Sequence, residues 1–116
     1  MPRFSKPRCF LVYALAPDGL SVAAANRRFN AFIADQTLPL VVFHDHFVDR
    51  PGGFAIFYAE TAQQRETLEN AEALRDWRVE IHLLVFSHSP AGFDDQTAFT
   101  LRQYRGVDWE RLRLSP

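Results

Sequence analysis

The sequence is short of cysteine, of charge of one sign and of long apolar runs, and each shortage closes off a class of protein. Cys9 is the single cysteine among 116 residues. That excludes an internal disulfide and any cysteine-based zinc site, and it suits a reducing, cytoplasmic setting. A formal net charge of −1 argues against a basic nucleic-acid surface and against an acidic solvating tail. No apolar run approaches the ~18 residues a membrane span needs. Arg3, Lys6 and Arg8 ahead of the run from Cys9 to Ala16 imitate a secretory signal, but Pro17-Asp18-Gly19 breaks that run early. No Gly-rich phosphate loop, nucleophile elbow or HExxH pattern occurs, and no cofactor is expected.

What is present fits one globular domain over residues 1–116, since hydrophobic residues make up 47% and charged residues 23%. Eleven phenylalanines call for well-filled cores or an aromatic-lined cavity. Cys9 to Ala16 is apolar on both faces and reads as an interior strand. After the Pro17-Asp18-Gly19 turn, Ser21 or Asp18 can cap a helix whose stripe is Val22, Ala25, Phe29, Phe32 and Ile33. Asn26, Arg27, Arg28 and Asn30 fall mostly off that stripe, toward solvent. Leu40 to Phe57 reads as a hairpin turning at Asp49-Arg50-Pro51-Gly52-Gly53, with Phe54 to Glu60 as its second strand. Thr61 and Gln64 form a capping-box pattern opening a helix to about Asp76, and Val79 to Phe86 is the fourth strand.

The order β-α-β, β-α-β predicts a ferredoxin-like α+β fold over residues 9–88. It is a four-stranded antiparallel sheet with two helices on one face, and the second and fourth strands lie at the edges. Residues 89–116 form a C-terminal extension, with a short helix from Asp94 or Asp95 to Arg105 and Gly106 as its stop. Phe93, Phe99, Tyr104 and Trp109 make it too aromatic for a solvated linker, so it should dock on its own sheet or a partner's. In the fourth strand Val79, Ile81, Leu83 and Val85 face the helices and Glu80, His82, Leu84 and Phe86 face away. The first and third strands are apolar on both sides, so the second face of the sheet needs a cover. A second copy, sheet against sheet, is the economical one.

This order, the apolar second face and the extension resemble the dimeric α+β barrel superfamily, which includes muconolactone isomerases, YCII-related proteins and small monooxygenases. The resemblance implies a homodimer. It also implies a small, often aromatic ligand held between sheet and helices beside histidine, aspartate or tyrosine.

His44 and His46 are two residues apart on the second strand and share a face, while Asp45 points to the other. As imidazoles they suit general acid/base work, with His82 as a third candidate catalytic residue. Their spacing also suits a metal, for which His82, Glu80 or His88 would have to complete the set; no metal is assigned. Hydrogen-bonded or solvent-facing structural histidines are the competing reading. Tyr13, Tyr58, Glu80 and Phe86 are candidates for a ligand pocket on the second face. Two functions follow. One is a homodimer that binds a small aromatic or apolar molecule, with isomerase, lyase or monooxygenase-type chemistry on a strand-borne histidine. The other is a non-enzymatic assembly or effector-sensing module. Neither involves nucleic acid or a membrane.

Overall fold

The computed structural model describes residues 3–84, 90–108, 110 and 111. Its order is β1 (Arg3–Leu15), α1 (Val22–Ala34), β2 (Leu40–His46), β3 (Gly52–Thr61), α2 (Ala62–Glu69), a 3-10 turn (Glu72–Leu74), β4 (Arg78–Leu83) and α3 (Pro90–Arg105). The strands form one antiparallel sheet in the order β2-β3-β1-β4, so β2 and β4 are its edges. The α+β class and the antiparallel four-stranded sheet are as the sequence pattern predicts, and the arrangement is compatible with a ferredoxin-like layout. Val85, Phe86, Ser87, His88 and Trp109 lie outside the described residues.

Local chemistry explains the elements. The Ser21 hydroxyl accepts the Ala24 N–H at 3.1 Å and so caps α1, whose Ala25, Phe29 and Phe32 are buried. Thr61 caps α2 by accepting the Gln64 N–H at 3.1 Å, and the Gln64 side chain accepts the Glu60 N–H at 2.6 Å. That helix stops seven residues short of Asp76, because Ala71 is extended (φ −63°, ψ 125°). Leu68, Ala71 and Leu74 are buried nevertheless, carried by the helix and the 3-10 turn together.

One core joins the sheet to α1 and α2. Phe10, Val12, Ala14, Ala55, Phe57 and Ala59 from the sheet meet Phe29, Phe32, Leu68, Leu74 and Trp77. Both helices therefore lie on the face of the sheet that carries these alternate residues. Gly53 belongs to this face, and a Cβ there would come 3.0 Å from the Phe29 ring and 2.6 Å from the Asp45 carbonyl oxygen. Glycine lets α1 approach β3 this closely. Arg28 is not left to solvent as its position off the stripe suggests. Its guanidinium donates to the Ala73 carbonyl (2.8 Å) and the Asp76 carboxylate (2.6 Å) and lies over the Trp77 ring, pinning α1 to the 3-10 turn.

α3 begins at Pro90, earlier than Asp94, and ends at Gly106 in the left-handed region (φ 64°), as the stop signal predicts. Its Phe99 and Tyr104 keep 53% and 72% of their surface exposed. These two rings are therefore not covered by the described residues.

Candidate functional site

The site depends on a bulge in β2. Val41 pairs with Phe57 and Phe43 with Ile56, so Val42 is an extra residue on the edge strand. Before the bulge Leu40 faces away from the helices and Val41 faces them. After it Phe43 and Asp45 face away, and His44 and His46 face the helices. Strict alternation from Val41 would have put both histidines on the opposite side.

On the helix side, His46 packs edge-on against Phe29, with ring centroids 5.6 Å apart. Its Nε2 is 3.0 Å from the Asn30 side-chain oxygen, a contact in which Nε2–H donates. Nδ1 is buried without a hydrogen-bond partner among the described residues. Its backbone N–H donates to Asp45 Oδ1 at 2.8 Å. The His44 ring stands 5.9 Å away and is exposed. Val48 is 99% exposed and covers neither ring; Phe29 and Asn30 pack on His46 alone. Sequence reasoning missed Asn30, although Asn26 and Asn30 stand one helical turn apart beside the stripe.

The outer face gathers the remaining candidates. Tyr13 pairs with Phe54 on one side and Glu80 on the other, Leu11 with Ile56 and His82, and Cys9 with Tyr58. Tyr13, Tyr58, Glu80 and His82 therefore share one surface, as the alternation predicts. Phe47, which leaves β2 on this side, packs 5.1 Å from Tyr13 and 6.3 Å from Phe54, and Phe43 packs 5.8 Å from Phe54. His82 Nε2 lies 3.4 Å from Glu80 Oε1, a solvent-exposed pair that holds an imidazole beside a carboxylate. Cys9 is buried here, and burial pushes its thiol pKa up, away from a reactive thiolate. The pocket candidate Phe86 lies outside the described residues.

The three histidines do not converge within one chain, because β2 and β4 are opposite edges and His82 faces away from His44 and His46. No three His, Cys, Asp or Glu side chains are placed to hold a metal ion among the described residues. A groove of about 440 Å³ between the end of α1 and α2 is lined by Asp35, Thr37, Glu66 and Asn70, and by none of His44, His46 and His82. Thr37 holds the Asp35 carboxyl below the usual carboxylate range by donating to it at 2.6 Å. No helix among the described residues is long and apolar enough to cross a membrane. No family model matches the chain, and no curated protein or solved structure is significantly similar to it.

Proposed function

We propose that the chain is a ferredoxin-like α+β protein that works as a homodimeric barrel and binds a small aromatic or apolar molecule against the outer face of its sheet. The observation that carries this reading is the composition of that face. A floor of Leu11, Tyr13, Phe47 and Phe54, half-buried around the buried Ile56, runs up to Glu80 and His82 at one edge. An apolar floor with few polar groups at its rim is the usual make-up of a small-molecule site. His82 beside Glu80 is the group for proton transfer, the step that isomerase and lyase chemistry share. His44 and His46 lie on the helix side, and His46 holds β2 against α1 through Asn30 and Phe29.

A non-enzymatic assembly module is the second reading, and the engagement of His46 with Asn30 and Phe29 favours it. Native mass spectrometry of freshly purified protein separates the two. The first reading expects twice the chain mass with a retained small molecule, or uptake of an added aromatic. A dimer that takes up no aromatic would leave the assembly reading, and a monomer would remove both.

A further inference from the structure

We infer that the outer face selects flat aromatic molecules that donate a hydrogen bond at each end and rejects those that are anionic there; this rests on the outer face being the ligand surface. The strand register supplies the argument. Asp45 pairs with Phe54, Phe54 with Tyr13, and Tyr13 with Glu80, so these side chains form a single row across all four strands. Neighbouring strands are about 4.8 Å apart, which puts the two carboxylate-bearing positions roughly 14 Å from each other. Between them stand two aromatic rings. The next row runs Phe43, Ile56, Leu11, His82; it is apolar up to the imidazole at its β4 end and carries no carboxylate.

Phe43 and Phe47 already pack on the Phe54 ring and Phe47 on Tyr13. A planar molecule along the first row therefore lies across the outward edges of these rings and presents its ends to Asp45 and Glu80. Ionised carboxylates only accept hydrogen bonds. The His46 backbone N–H already donates to Asp45 Oδ1, and His82 Nε2 lies 3.4 Å from Glu80 Oε1. That leaves the second oxygen of each carboxylate to accept from a ligand hydroxyl or amine. A carboxylate or phosphate meets like charge there, least so at the Glu80 end beside His82. Closing a second sheet over the ligand excludes water and sharpens that discrimination. Arg78 shares this face of β4 but stands one row along, opposite Leu15, so it does not turn either end of the Tyr13–Phe54 row basic.

The test is calorimetric titration of the full chain with three probes of one shape: biphenyl, para,para′-dihydroxybiphenyl and the para,para′-dicarboxylate. The dihydroxy probe should bind tighter than the dicarboxylate by roughly tenfold or more, about what a single charge-assisted hydrogen bond supplies. Asp45 and Glu80 are exposed, so the double variant Asp45→Asn, Glu80→Gln should fold. It should reduce that preference to within about threefold. Glu66→Gln, on α2, should leave the preference unchanged. Equal binding of the three probes, or a preference that survives the double variant, overturns this inference and leaves the ligand surface standing. If none of the three binds, the ligand surface falls with it.

Discussion

At the scale of single residues, Arg28 is the side chain whose role departs most from its place in the sequence. It sits off the apolar stripe of α1, among residues that read as solvated, and yet it holds the Ala73 carbonyl and the Asp76 carboxylate together. The guanidinium lowers the Asp76 pKa below the usual carboxylate value. The sign of the consequence follows. With the folded-state pKa depressed, the bond's contribution is complete above the unfolded-state pKa and is lost as pH falls through the folded-state value. Asp76→Asn should therefore lower the urea midpoint in neutral buffer, and wild type and variant should converge in strongly acid buffer. An unchanged neutral midpoint would reduce the clamp to a surface contact. The signal for it was absent from the sequence because the partners stand 45 and 48 residues away, beyond any local pattern.

At the scale of elements, periodicity and caps made most of the chain legible. The buried stripe Ala25, Phe29 and Phe32 of α1, the caps Ser21 and Thr61, and the sides taken by Val79, Glu80, Ile81 and His82 in β4 follow from spacing alone. Val22 and Leu83, placed inward by the same spacing, are 45% and 55% exposed. Two other departures have physical causes that spacing does not carry. The β2 bulge falls within a continuous apolar run, Leu40 to Phe43, where one extra residue leaves no mark on the pattern; it decides which face His44 and His46 occupy. Gly52 and Gly53 read as turn residues, but they begin β3. The reason is space: at Gly52 a Cβ would come within 2.4 Å of the Ala14 carbonyl oxygen, and at Gly53 within 3.0 Å of Phe29. Gly53→Ala should then cost about 1–3 kcal/mol through overpacking, read as a lower urea midpoint with unaltered slope. Because Phe29 also packs on His46, the His46 imidazole resonances should shift in the same variant. Full stability in Gly53→Ala would mean that α1 can move away from β3 freely.

At the scale of the molecule, the numbers describe a chain with surface to spare. Its accessible area is 7837 Å², against about 6,500 Å² for a compact monomer of this mass. Its radius of gyration is 15.7 Å, where about 13 Å is usual. The shortest dimension is 21 Å, the thickness of a sheet with one helical layer, and a third layer would add roughly 10 Å. The excess, roughly 1,300 Å² on one chain, exceeds the ~800 Å² that each partner contributes to a standard interface. The outer face offers the apolar side chains to fill it, with Leu40 59% and Phe43 41% exposed along its β2 edge. Sedimentation equilibrium at micromolar concentration should therefore give twice the chain mass. Leu40→Lys is the sharper probe, because a side chain this exposed contributes little to folding of the single chain, while a charge on the closing surface must be desolvated. The variant should weaken the dimer by on the order of tenfold or more and leave unfolding of the monomer within about 0.5 kcal/mol. A wild-type monomer, or a Leu40→Lys dimer as tight as wild type, would take the second copy off this face.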